Sequence, residues 1–403
     1  MRILLADDSS PVARPTAKAG TGRAKLRGDI GDPVTLSYEL GGRAAQADTT
    51  PRTGGIDADG CPPPQPIPPC PPIDLQDQPE HLACVLDALG LALLNRGCLA
   101  EGRRLIELAY QIRLAHFGKD HPATAASRMS RARAMRMFDE LIAAAKEIDA
   151  AIKVNRRVYG SGSYPVAVNL NERGTIELYA GQFGDALKSA RTGQKILRKL
   201  KLAATDPNWT RLLDVEGRAL CALGKLPEAD RVLRAAVATD AKQVGQHHPK
   251  YASHLANLAV VEELTPDLSA AHAHIAEAIS VYENDLGLPG HQNLIDMYAN
   301  WGSVQTKQRA FDAAKQSLCR ALGLDKQLRG PKHTLVGNDH ANLGRLYFAM
   351  NDLPAAKAQF EAALAIYKGN VPGNLPRRHP YIREAEIWLD RIKKSARAAK
   401  AAS

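Results

Sequence analysis

Residues Asn338 to Lys368 read NDHANLGRLYFAMNDLPAAKAQFEAALAIYK. The spacing predicts two amphipathic helices joined by a tight turn at Met350-Asn351-Asp352. Leu343, Gly344 and Tyr347 mark the first helix, and Leu353, Ala356, Phe360, Ala363 and Leu364 mark the second. Residues three and four apart are stacked neighbours on a helix, so Ala356, Phe360 and Ala363 share one face. Gly344 and Ala356 let two backbones approach closely, while Tyr347, Leu353 and Phe360 fill the space around them.

The pattern recurs upstream at steps of 42 or 43 residues. The Gly344 column continues backwards through Gly302, Ala259, Gly217, Gly174, Ala132 and Gly90. A second small column holds Gly102, Ala144, Ala186, Ala229, Ala271, Ala314 and Ala356, and a third holds Ala109, Ala151, Gly193, Ala236, Ala278, Ala321 and Ala363. Between the first two runs a large apolar column of Leu99, Leu141, Phe183, Leu226, Leu268, Phe311 and Leu353. A fixed period of this length means a solenoid, in which each unit buries its apolar face on its neighbours.

NLGRLYFAMNDLPAAKAQFEAAL resembles a tetratricopeptide repeat, with Leu-Gly, Tyr, Ala, Phe and Ala at the family's relative spacings. The step exceeds the usual tetratricopeptide length of about 34 residues. With the recurring His-Pro between repeats, it is similar to the kinesin-light-chain type. The resemblance covers residues 80 to 400 and implies an all-α, right-handed superhelical solenoid of about seven helix-turn-helix repeats. It also implies a concave groove lined by the first helix of each repeat, where short acidic, aromatic-bearing peptides are gripped.

The boundaries between repeats carry stop and start signals, as in Gly118-Lys-Asp-His-Pro122 and Gly245-Gln-His-His-Pro249. There Gly ends one helix and Pro begins the next. Seven repeats are expected over 80–380. The helix over 381–403 caps the last of them with Ile382, Ala385, Leu389 and Ile392 and ends in Arg391, Lys393, Lys394, Arg397 and Lys400. The large residue before the first small column is Leu89, Leu258, Trp301 and Leu343 in four repeats, but Arg131, Arg173 and Glu216 in three. Looser packing, a rotated first helix and a charged concave patch are all compatible with those charges.

Residues 1–79 have a different composition, with 13 of the chain's 25 prolines and Tyr38 as their one aromatic residue. They are expected to be mostly disordered, with an extended proline-rich tract over 61–79 that acts as a spacer. The opening MRILLADDSS resembles the first strand and acidic pair of a response-regulator receiver, which would make Asp7 and Asp8 metal-binding carboxylates and Asp57 or Asp59 the phosphoacceptor. No amphipathic helix follows, and proline replaces the second half of such a domain, so a working receiver is not expected.

The net charge is +10, made of −2 over residues 1–79 and +12 over the rest. A basic repeat region favours acidic partners and raises nucleic acid as a lesser alternative, against which stand few aromatics and no RNA-module motif. No apolar run reaches the roughly 18 residues of a membrane span, and no secretory signal is evident; a cytoplasmic protein is expected. Six cysteines without a C-x-x-C are read as buried or half-buried thiols in a reducing compartment.

Catalytic chemistry is poorly represented. Gly20-Thr-Gly22 lacks the Gly-Lys-Ser/Thr of a phosphate loop. His248, His254, His272 and His274 cluster in sequence, but His272 and His274 point to different helix faces. No catalytic residue, metal or cofactor is expected. One constellation points to binding instead. Asn257, Asn300 and Asn342 each lie two residues before the first small column, and an amide donates and accepts as a peptide unit does. Arg133, Arg218 and Arg345 directly follow that column. The expected function is a protein-interaction scaffold binding a peptide segment in the groove. The alternative is a regulatory sensor whose superhelix changes conformation on binding.

Overall fold

A tight turn between two antiparallel helices needs a residue in the left-handed backbone region, and the computed structural model shows which one supplies it. Positive φ falls at Gly97, Asp139, Gly181, Gly224, Arg309 and Asn351, each two residues before the large apolar column. Glycine adopts that conformation without strain, and Asn and Asp tolerate it better than most. Arg309 is the exception to those preferences.

The structure describes residues 22–25, 35–38, 79–203, 205–265, 268–287, 291–370 and 379–402. Fifteen α-helices lie among them. They pair as α1 (Pro79–Asn95) with α2 (Leu99–Phe117), α3 (Pro122–Met137) with α4 (Leu141–Tyr159), and α5 (Tyr164–Tyr179) with α6 (Phe183–Lys199). Then follow α7 (Pro207–Ala222) with α8 (Leu226–Gln243) and α9 (Pro249–Glu262) with α10 (Leu268–Ser280), which runs on into a wider π-type turn at Val281–Asp285. Next come α11 (Gln292–Lys307) with α12 (Phe311–Arg329) and α13 (Thr334–Ala349) with α14 (Leu353–Gly369). The last helix, α15 (Pro380–Ala402), follows the seventh pair. The helical array is an all-α superhelical repeat. Separately, β1 (Gly22–Lys25) pairs antiparallel with β2 (Thr35–Tyr38), Gly22 opposite Tyr38. The expected disorder of 1–79, its proline tract and the receiver-like carboxylates otherwise lie outside the described residues.

Every alanine of the three small columns is fully buried. A methyl group at Gly344 would stand 2.7 Å from Phe360, and one at Gly302 would stand 2.5 Å from Leu318. Gly217 and Gly90 face Leu233 and Ile106 in the same way. The first column is therefore where the two helices of a repeat touch.

The charged members of the preceding column each pair with the second helix of the preceding repeat. Arg131 bonds Glu107 at 2.8 Å, reaches Glu147 at 3.2 Å and lies over the Tyr110 ring. Arg173 pairs with Glu177 and Asp149, and Glu216 accepts from Arg191 and Gln194. An ion pair between repeats replaces the apolar contact that Leu258 and Leu343 make. Leu89 in the first repeat stays 49% exposed.

The last repeat is capped as expected. Tyr381, Ile382, Ala385 and Ile392 of α15 are buried, and the Trp388 ring, absent from the predicted face, stacks on Phe360 at 5.4 Å. The cysteines need a correction: Cys84, Cys98 and Cys319 are exposed and Cys221 is buried. Cys98 is not in a helix but is the residue before α2. Burial pushes the Cys221 thiol up to about 11.

The recurring histidines are helix N-caps. Nδ1 of His121, His248, His291, His333 and His379 each accepts the backbone N–H two residues on, at 3.1 to 3.3 Å. Asp206 does the same for α7. With Nδ1 accepting, the ring proton sits on Nε2. His333 Nε2 donates to the Met137 carbonyl at 3.1 Å and His379 Nε2 to the Tyr179 carbonyl at 2.8 Å. Thr334 N–H donates to the buried Asp139 carboxylate at 2.6 Å. Each contact joins one repeat to the position five repeats later, so the superhelix closes on itself along a seam.

A polar cavity on the inner face

Positions two before and one after the first small column meet across neighbouring repeats. Arg133 bonds Glu172 at 3.2 Å, 39 residues on, and Arg345 bonds Glu384, again 39 residues on. Glu172 stands in the column that elsewhere holds Asn257, Asn300 and Asn342. At Arg133 and Arg345 the arginine column thus meets the next repeat's column at a carboxylate rather than an amide. The rise between repeats brings them together, which no single helix reveals.

Three polar clusters result along the inner face. In the first, Arg133 and the buried Arg136 both hold Glu172, and Arg136 lies 5.0 Å over the Tyr179 ring. In the second, buried Arg218 pairs with Asp214 at 3.3 Å while Asn257 donates to the same carboxylate at 2.7 Å. In the third, Arg345 bonds Asn342 at 2.5 Å and Glu384. All three predicted arginines therefore have carboxylate partners within the chain. Asn257 is fully enclosed, whereas Asn300 and Asn342 are half-buried.

Asn300 and Asn342 open into one cavity of about 50 Å³. Helical spacing aims its walls. Asp296 and Asn300 are four apart on α11, Asn338, Asn342 and Arg345 follow at steps of four and three on α13, and Tyr381 and Glu384 are three apart on α15. Asp325 enters from α12, and Asp339 sits beside Asn338. The Arg329 guanidinium is bonded to Asp325.

Burial dominates the electrostatics here. It pushes the Asp296 carboxyl up to about 8, against the pull of Arg329. Burial, with Asp325 and Asp296 nearby, pushes Asp339 well above the usual carboxylate range. Glu384 behaves oppositely: burial opposes its charge, yet Arg345 holds it below its ordinary value. Asp325 and Asp339, only 1% and 4% exposed, are hydrogen-bonded to each other, which requires a proton on one of the two carboxyls.

The four clustered histidines go to separate partners. His248 caps α9, and His254 is buried against Asp240, which also pairs with Lys250 at 3.1 Å. His272 accepts from Trp301 Nε1, and His274 bonds Glu262. No helix among the described residues is long and apolar enough to cross a membrane.

The tetratricopeptide-repeat family model matches residues 293–369, and a second model of the same description matches residues 85–123. Comparison with curated proteins finds no match. Among solved structures, a chain of the APC/C hetero-tetramer Cut9–Hcn1 is 16% identical, with a TM-score of 0.52 over 79% of this chain and 50% of that one. The Rap conjugation gene regulator of plasmid pLS20, in complex with the Phr* peptide, is 14% identical, with a TM-score of 0.50 over 82% and 81%. BtubC (BKLC) from P. vanneervenii is 19% identical over 60% and 95%, with a TM-score of 0.42. At these identities the likeness is one of fold.

Proposed function

We propose, from the premise that this chain is a tetratricopeptide-repeat protein whose 42- and 43-residue period resembles that of kinesin light chains, that it is a protein-interaction scaffold gripping a peptide segment at the C-terminal end of its inner face. The observation that carries this reading is the placement of Asn300 and Asn342, one repeat apart, on a single cavity. Two amides so placed match two separate peptide units of one extended ligand. Asn257, only 1% exposed and donating to Asp214, takes no part.

The arginines do not support an acidic partner, because Arg133, Arg218 and Arg345 already face carboxylates of the chain. The partner class that fits is a peptide with donors and cations. A peptide array probed with the full chain tests the reading. The double change Asn300→Ala and Asn342→Ala should weaken array-selected peptides by about tenfold, at 0.5–1.5 kcal/mol for each lost hydrogen bond. Unchanged affinity, or no peptide bound at all, overturns it.

A second reading, a sensor whose superhelix changes conformation, is favoured by the seam. Its few hydrogen bonds at His333, His379 and Asp139 are the kind of contact that a ligand on the inner face could strengthen or release.

A further inference from the structure

The last helix does not stop where a first helix of this chain stops. α15 opens on His379-Pro380, the same start that α3 and α9 use, with the imidazole capping the helix in each case. α3, α5, α7, α11 and α13 are each 16 residues long, whereas α15 runs for 23. The seven additional residues extend it by about 10 Å, at roughly 1.5 Å for each. Ile392 is its last buried side chain among the described residues, and Lys393, Lys394, Ala396, Arg397 and Ala398 beyond it are all exposed.

Charge changes along with packing. From Arg391 the sequence reads RIKKSARAAKAA, with five cations and no anion. The inner-face arginines are neutralised by carboxylates of the chain, but these cations are not. Lys393 and Arg397 form no salt bridge among the described residues. Lys394 reaches Asp390 at 2.7 Å in an exposed pair of little strength. Steps of four and three carry Lys393, Arg397 and Lys400 along one stripe of the helix. What lies between the cations is Ser395 and alanine.

We propose that this projecting end of α15 binds the phosphate backbone of a nucleic-acid duplex. The surface is separate from the inner face and does not rest on the peptide-scaffold reading. Composition chooses among anionic partners. A helix lying on a membrane needs large apolar side chains beside its cations, and past Ile392 there are none. Single strands are held largely by stacking on aromatic rings, which the end also lacks. An acidic protein partner is anchored by side chains that fill pockets, and serine and alanine fill none. Backbone contact with a duplex asks only for closely spaced cations with no anion among them. A helix this thinly clad also fits the major groove of DNA, about 12 Å wide.

The experiment uses the full chain and a fluorescein-labelled 20-base-pair DNA duplex as probe, followed by anisotropy at about 50 and 200 mM salt. Affinity should fall by about a hundredfold between the two, at a power of roughly 0.9 in salt for each of four phosphate contacts. The triple change Lys393→Gln, Lys394→Gln and Arg397→Gln keeps helix propensity and touches only exposed positions. It should leave the melting temperature unchanged, weaken the duplex by about tenfold or more at low salt, and reduce the salt effect to about fivefold. Lys195→Gln with Lys199→Gln, exposed cations of α6, should change little. No duplex bound at low salt overturns the inference, as does unchanged affinity in the triple variant. Equal weakening by the α6 pair overturns it too, because general charge would then explain the binding. Polyglutamate or phosphatidylserine vesicles bound more tightly than the duplex at equal salt would overturn it in favour of an acidic protein or a membrane.

Discussion

At the scale of single residues, contact between helices turns on one methyl group. Gly344 lies against the Phe360 ring closely enough that a Cβ would stand 2.7 Å away. The ring cannot retreat, because Trp388 of α15 stacks on its other side at 5.4 Å. Gly344→Leu should therefore destabilise the fold by roughly 1–3 kcal/mol or more through overpacking. Urea denaturation followed by far-ultraviolet dichroism measures it, and an unchanged midpoint would mean that the column is not a helix–helix contact. This contact was legible in the sequence because it depends on size alone, at a fixed offset along one repeat. The roles of Asn257 and Arg345 were not. Their partners Asp214 and Glu384 lie in neighbouring repeats, and which polar group meets which depends on the rise and rotation between repeats.

At the scale of an element, each first helix needs its leading N–H groups satisfied, and here an imidazole does what Ser, Thr, Asp or Asn usually does. The His-Pro recurrence was visible, but histidine is outside the usual capping set, so it read as a loop feature. The cap needs a neutral ring, since a protonated Nδ1 would face the N–H with another proton. Burial lowers His248, His333 and His379, and takes His291 down to about 4. The sign follows directly. In the unfolded chain these rings titrate near 6.5, so below that pH the unfolded state binds protons that the folded state refuses. The stability these caps contribute should be fully present above about pH 6.5 and be lost progressively toward pH 4, while the raised carboxyls of Asp296 and Asp339 act in the opposite direction. Asp206 already caps α7, so His291→Asp should keep a cap while removing this residue's share of the loss. Melting temperatures at pH 7 and pH 5 check it: the difference should be smaller in the variant, and an equal difference would show that His291 is not among the titrating groups.

At the scale of the whole molecule, the helices, their pairing and their order were readable from the repeat, whereas the seam was not. Closure after five repeats depends on small rotations summed over successive interfaces, which no local pattern encodes. Polar contacts join the seam, two imidazoles on helix-end carbonyls and the Asp139 carboxylate on the Thr334 N–H, beside apolar ones in which Leu141 and Tyr179 pack in one cluster with Ala341 and Tyr381. Asp139 also occupies the left-handed turn position that is glycine in three other repeats. Asp139→Gly should therefore keep the turn while deleting the bond and the carboxylate beside His333, leaving a buried N–H unpaired at about 1–3 kcal/mol. Combined with His379→Ala, it removes a contact at each of two successive repeats. The double variant should retain its helical dichroism and show a larger radius of gyration in small-angle scattering, because the array would relax along its axis without unfolding any repeat. Adding an array-selected peptide should then restore part of the compaction if ligand and seam favour the same closed form, since a ligand shifts a conformational equilibrium by its differential affinity for the two states. Unchanged dimensions in the double variant would place control of the pitch in the apolar contacts between repeats and leave the sensor reading without its mechanism.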